Sequence, residues 1–406
     1  MPGVTDAVSA WASRGAMYLT GPPGGPPLGP PAPLVPRLAD AAAILGRWVA
    51  VDPLAVLTAR AAIAGLTRRG QVSCGGGTRL LPTANGWLAV SLARPDDVEL
   101  IPAWLGTGLP PADPWPVVRD AVARASTDDL VDRGVLLGLP IAALPEDPPP
   151  APRAPEPLAP LPCRATPLGD ARPAGSADLL VVELASLWAG PLCGSLLARA
   201  GARVVKVESV RRPDGARRGP EAFFDLLNAG KRSVALDLAA PRGRDDLASL
   251  IAAADVVIEG SRPRALAHLG IDPATAGVRV WVSITGHGRT PPDADRVAFG
   301  DDAAVAGGLV VWEVDRPYFC ADAIADPATG LVAAAACLDA LAAGGRWLLD
   351  VAMAGVAAHL AGPTLPVPPG TAAPPPVAPP RPGPAPTLGE HTDRTLLSVR
   401  RRLRRR

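Results

Sequence analysis

Lysine is almost missing from this chain of 406 residues. Of its 40 basic residues only Lys206 and Lys231 are lysine, and arginine supplies the rest. Two retained ammonium groups suggest positions where a compact point charge is wanted. Lys231-Arg232, after the glycine of "NAGKRSVALDL", suits a phosphate-bearing ligand as well as it suits an ordinary surface. Cysteine and histidine are also sparse. Cys74, Cys163, Cys193, Cys320 and Cys337 show no C-x-x-C spacing, and the four histidines are not paired at ligand spacing, so neither a disulfide scaffold nor a zinc site is expected. No sign of charge dominates: 40 basic against 39 acidic residues leaves +1, which gives no reason to expect a nucleic-acid or membrane surface. The terminal "RRRLRRR" is the exception and reads as a solvated, disordered tail. No apolar run approaches the roughly 18 residues of a membrane span, and "MPGVTDAVSAWASRG" lacks a basic region followed by an apolar one. A cytoplasmic protein is expected.

Proline is plentiful, with 51 residues concentrated in three clusters that punctuate the chain. They suggest a Pro/Gly-rich N-terminal segment (1–36), a small α+β domain (37–143), a semi-rigid linker (144–177), a large domain (178–362) and a proline-rich extension with a basic tail (363–406). Within the large domain, "DLLVVELA", "ARVVKVES", "DVVIEG" and "VRVWVSITG" read as strands alternating with helices such as "GPLCGSLLARAG" and "RGRDDLASLIAAA". Such alternation predicts an α/β fold whose parallel, Rossmann-like sheet is covered on both faces, with ligands at the carboxyl ends of the strands. The small domain is predicted to hold a helix over 53–69, a glycine run at 73–81, a strand over 85–93 and a helix over 114–125.

One carboxylate stands out. In "ADPATGLVAAAA", Asp326 precedes a proline at the start of an alanine-rich helix. Asp is a favoured N-cap and Pro a favoured first helical residue, so capping explains it locally. The positive end of the helix dipole would also keep the carboxylate ionised, as a nucleophile requires.

A set of linked motifs reaches further. "VVELASLWAGPLCGSLLARAGARVVKVE", "NAGKRSVALDL", "ADVVIEGSRPRALAHLGI", "VSITGHG", "ADPATGLVAAAACLDAL" and, at 388–396, "LGEHTDRTL" follow one another as in the family III CoA transferases, the CaiB/BaiF group that also includes 2-methylacyl-CoA racemases. Residues 178–360 resemble that family's large domain. The family's small domain follows the aspartate-bearing half, yet here "SCGGGTRLLPTANGWLAVSLARPDDVELIPAWL" and "LVDRGVLLGLPIAALPE", which resemble it, come first. "SRGAMYLTGPPGGPP" at 13–27 resembles a segment normally just upstream of the catalytic aspartate. The resemblance therefore implies a permuted domain order, tolerable where new termini fall in exposed linkers.

The resemblance makes Asp326 the nucleophile. It implies an aspartyl–acyl mixed anhydride, then an aspartyl-CoA thioester, then return of CoA to an acceptor acid, with no metal and no permanently bound cofactor. It implies acyl-CoA and carboxylic acid substrates, a homodimer, interlocked in the family but not necessarily in a permuted chain, and a loop at Gly75, Gly76 and Gly77 covering the intermediate. Positions matching CoA contacts are Ala189, Leu236, Leu238, Ser261 and Arg262, with Lys231 and Arg232 just upstream and Arg296 near a basic residue of some members. Gly260, Arg264, His268 and Gly355 depart from the family pattern, which implies weaker or redistributed CoA contacts. A racemase would need a second proton-transfer group, and Asp301 and Asp302 stand where its histidine would be. A paralogue that binds acyl-CoA without turnover is the other alternative.

Overall fold

The computed structural model describes residues 2–108 and 112–404; Arg405 and Arg406 of the basic tail lie outside them. Three helices open the chain: α1 (Pro2–Ser13), α2 (Leu34–Leu45) and α3 (Pro53–Ala64). Asp52 caps α3, its carboxylate accepting the N–H groups of Leu54 and Ala55 at 3.1 Å with Pro53 behind it, and Gly65 closes the helix in a left-handed conformation.

A smaller unit follows, comprising β1 (Thr78–Pro82), β2 (Trp87–Ser91), α4 (Pro95–Glu99), α5 (Ile101–Leu105), α6 (Trp115–Val122), α7 (Thr127–Leu137) and β3 (Ile141–Ala143). Its antiparallel sheet runs β1-β2-β3. Leu88, Val90 and Ile141 on one face bury Trp104, Val118 and Leu130 of the helices.

The large unit contains β4 (Arg164–Gly169), β5 (Leu180–Leu184), α8 (Ala189–Arg199), β6 (Arg203–Ser209), α9 (Glu221–Asn228), β7 (Arg232–Leu236), α10 (Pro241–Ala253), β8 (Val256–Glu259), α11 (Pro263–His268), β9 (Val280–Thr285), α12 (Gly300–Ala306), β10 (Val310–Glu313), β11 (Arg316–Phe319), α13 (Ala325–Ala343), β12 (Arg346–Ala352) and α14 (Met353–Leu360), and α15 (Thr392–Leu403) ends it. Its sheet has the order β4-β12-β9-β8-β5-β6-β7, parallel except for β4, which pairs antiparallel with β12. The α/β class expected from the strand–helix alternation is therefore observed. Strands such as "LVVEL" are apolar on both sides because both sides are covered, by α8 and α13 on one face and by α10 and α15 on the other. The order of succession reverses between β5 and β8, which opens a crevice at their carboxyl ends. The small unit docks through Leu80 and Ala89 onto Val305, Val310 and Phe319 of α12 and the β10–β11 hairpin.

Three expectations are corrected. Helices α2 and α3, assigned from sequence to the small domain, pack on α13 in the large core, because their apolar faces continue its cluster. The segment 144–177 is no free linker: Leu158, Leu161 and Cys163 are buried in the large core, and β4 lies within it. The basic tail, up to Arg404, is not disordered either. Leu396 and Val399 of α15 are buried against α10, while Arg400 and Arg402 pair with Asp246 (2.9 Å) and Asp255 (2.5 Å).

Candidate active site

The crevice at the β5–β8 reversal holds a cavity of about 400 Å³. Its walls are the loop after β5 (Ala185, Ser186, Leu187), the first turn of α8 (Ala189, Gly190), the loop after β8 (Gly260, Ser261, Arg262), the 294–299 segment including Arg296, and Arg94 from the small unit. Asp326 also lines it. Of the residues singled out from sequence, the structure thus brings Ala189, Ser261, Arg262, Arg296 and Asp326 together around one space.

Asp326 is not a cap. The α13 N-cap position is Ile324, and Asp326 is the second helical residue. Its carboxylate accepts the N–H of Gly300, and dense protein surrounds it on the sides away from the cavity. Burial pushes it up to about 7, against the pull of Arg60 and with the added push of Asp301. The helix dipole alone would keep it ionised. Desolvation outweighs the dipole here.

Behind Asp326 stands a cluster that the sequence did not reveal. Arg60 of α3 makes a bidentate pair with the buried Asp322 (2.8 Å from Nε, 2.5 Å from Nη2) and lies 5.3 Å from the Trp188 ring centre. Asp301 accepts from the Ala323 N–H at 3.0 Å and from the Ser73 hydroxyl, and burial raises it to about 6. Asp302 accepts from the Ser91 hydroxyl (2.8 Å) and the Phe299 N–H (3.0 Å), and burial raises it to about 7. The turn leading into α13 is strained, with Ala321 at φ 56° and Ala323 at φ 43°. The one available signal for Arg60 was its position as a lone charge in an apolar helix. Arg94, held by Asp97 and set 5.7 Å from the Phe299 ring centre, offered none.

The glycine loop at Gly75–Gly77 lies beside this cluster: a Cβ on Gly75 would stand 3.4 Å from Arg60 Nη2, and Gly76 has φ +83°. Ser261 is fixed by donating its N–H to Glu259 at 2.7 Å, and Glu259 is held in turn by the Ser283 hydroxyl (2.5 Å) and Arg289 (2.7 Å).

The lysines are elsewhere. Both are buried: Lys231 contacts Glu183 (2.7 Å), the Pro191 carbonyl (2.8 Å) and Asn228 (3.1 Å), and Lys206 contacts Glu183 (3.2 Å), Asp214 (2.9 Å) and the Ala185 carbonyl (2.8 Å). Burial lowers Lys231 to about 8. Neither is a phosphate ligand. They form an ion network that anchors the loop after β5, where Asp214 also accepts the Leu187 N–H at 2.9 Å and Leu187 is held at φ 69°. Leu236 is buried in the core on the far face of the sheet, Leu238 packs beside it, and Arg232 lies on β7 facing α15; none of the three lines the cavity.

The sequence profile of CoA-transferase family III matches residues 177–379, half of the chain. Among curated proteins, this chain is 32% identical over 153 residues to a succinyl-CoA--D-citramalate CoA-transferase of Chloroflexus aurantiacus (34% of this chain, 38% of that protein). It is 35% identical over 181 residues to a succinate--glutarate CoA-transferase of Agrobacterium fabrum (40% and 45%). A CAIB/BAIF family protein of Brucella suis, known from a crystal structure, is 33% identical with a TM-score of 0.41, over 46% of this chain and 55% of that one. The chain spans less than half the length of these curated relatives. The profile match, which takes in β5 to β12 and α13, establishes that the chain belongs to CoA-transferase family III.

Proposed function

We propose that the chain moves CoA from an acyl-CoA donor to a carboxylic acid acceptor with Asp326 as nucleophile. The observation that carries this reading is a carboxylate in the first turn of a buried helix, lining a cavity whose other walls bear Ser261, Arg262 and Arg296. The Asp326 carboxylate attacks the thioester carbonyl; the C–S bond breaks, giving an aspartyl–acyl anhydride and CoA thiolate. The thiolate attacks the aspartyl carbonyl, forming Asp326–CoA thioester and releasing the donor acid with an oxygen from Asp326. An acceptor carboxylate then attacks this thioester, and the thiolate completes the exchange at the acceptor carbonyl, so Asp326 is regenerated with an oxygen from the acceptor. Each step exchanges one activated acyl bond for another.

Arg262 and Arg296 supply fixed positive charge for the phosphates of CoA, and Arg94 adds a third guanidinium from the small unit. The Gly75–Gly77 loop lies behind Asp326, against Arg60, and does not line the cavity, so the covering role that the resemblance implies would require the loop to move. Racemisation fits less well, because neither Asp301 nor Asp302 lines the cavity.

The test is the intact mass of the protein after incubation with a panel of acyl-CoAs, with and without hydroxylamine. An acyl- or CoA-sized adduct mapping to Asp326, removed by hydroxylamine and absent from Asp326→Ala, is expected. Retained exchange in Asp326→Ala would overturn the assignment.

A further inference from the structure

The opening helices repeat the design of the helices that carry Asp326. Helix α1 is followed two residues after its end by Gly15 at φ 76°, and α12 by Gly308 at φ 75°. Proline is the third residue of both α2 ("LVPRLADAAAIL") and α13 ("ADPATGLVAAAA"), at Pro36 and Pro327. "Gly-Arg-Trp" then recurs, at 46–48 and 345–347; helix α3 follows the first, and α14 follows the second beyond strand β12.

The packing is reciprocal as well. Helix α2 packs on α13 and on α14, while α13 packs on α2 and on α3. The approach to α2 pairs with the exit of α14, through Ala32 N–H to the Pro363 carbonyl (2.8 Å) and Leu365 N–H to the Pro30 carbonyl (2.9 Å). The approach to α13 pairs with the exit of α3, through Phe319 N–H to the Gly70 carbonyl (3.1 Å). A contact in which element i meets j while j's counterpart meets i's counterpart is the signature of a two-fold axis.

The two copies differ where chemistry is concerned. Aligned on their prolines, Val35 stands in the place of Asp326 and Ala39 in that of Gly330. No strand follows α2, and Val35 packs as a hydrophobe on the large core. The first copy nevertheless reaches the second copy's site, because α3 delivers Arg60 to Asp322, in the turn that presents Asp326.

We infer that residues 2–64 are a second copy of the α12–α14 unit that has lost its carboxylate and acts as a built-in partner, supplying Arg60 as a positioning residue so that one chain completes one site. This rests on Asp326 being the nucleophile proposed above. The homodimer implied by family resemblance is then not needed to complete the site.

A mixing experiment tests it. Asp326→Ala and Arg60→Gln are purified separately, combined after partial unfolding and refolding together, and assayed for CoA exchange. No recovery above the two variants alone is expected, whereas recovery towards a quarter of wild-type activity would show a site shared between chains and overturn the inference. Arg60→Gln by itself should move the acidic midpoint of adduct formation upward by about one pH unit or more, with Arg60→Lys restoring it; an equal loss at every pH would reduce Arg60 to a structural role. Native mass measured down to nanomolar concentration is independent of Asp326 chemistry. A folded single chain supports the built-in partner, and a dimer that unfolds on dissociation overturns it. Absence of any wild-type adduct would defeat the nucleophile reading alone and leave the mass measurement to decide the arrangement.

Discussion

The acidity of Asp326 is set by two opposed environments. Desolvation raises it, and the Gly300 N–H and Arg60 lower it, leaving it at about 7. With the Asp326 carboxylate as the proposed nucleophile, adduct formation should increase roughly tenfold per pH unit below about 7 and level off above it, read as the rate of CoA release from a donor in a single turnover. Gly300 makes this balance possible. A Cβ there would lie 2.5 Å from Asp326 Oδ2 and 2.4 Å from the Ala323 carbonyl, so Gly300→Ala should cut that rate at least tenfold while leaving most of the fold intact. The sequence singled out Asp326 through its position before a proline and an alanine-rich helix. It could not reveal the acidity, because Arg60, Asp301 and Asp322 come from segments that only the fold brings together.

At the scale of elements, small residues decide how close the helices come. Gly330 allows α13 to touch α8: its Cβ would fall 2.7 Å from the Ala189 carbonyl and 2.8 Å from a Leu192 methyl. Gly194 leaves room for Glu183, whose Oε2 lies 2.0 Å from where a Cβ would be. The ion network behind β5 depends on that space. Lys231→Met strips Glu183 of one of its two cations in a dry interior, so a loss of about 3–5 kcal/mol in denaturant unfolding is expected. Acyl-CoA affinity of the folded fraction should change little, whereas a phosphate ligand at that position would show the opposite pattern. Strand and helix order in the large unit was legible because burial on both faces leaves uninterrupted apolar runs such as "VVELA". The environment of the lysines was not legible. A lysine within a strand or just before one looks the same in sequence whether it faces solvent or a buried glutamate, and only the three-strand register of β5, β6 and β7 distinguishes them.

At the scale of the molecule, chain order and spatial order diverge. The first 64 residues read as a proline-rich leader and part of a small domain, yet they close the core around α13, because apolar helix faces such as that of α2 find their complement far along the chain. The basic tail misled for a related reason: Leu396, Val399 and Leu403 form a stripe too short to stand out among arginines, and it becomes meaningful only against α10. All these elements converge on a single carboxylate in a crevice between the sheet and the small unit. The most direct test of its role follows the oxygen. Wild-type protein is turned over with an acyl-CoA donor and an acceptor acid labelled with oxygen-18 in its carboxylate, and the peptide bearing Asp326 is weighed. If Asp326 carries the acyl group, that carboxyl must gain the acceptor's heavy oxygen over repeated turnovers; an Asp326 peptide of unchanged mass after the acceptor has been converted would contradict the mechanism.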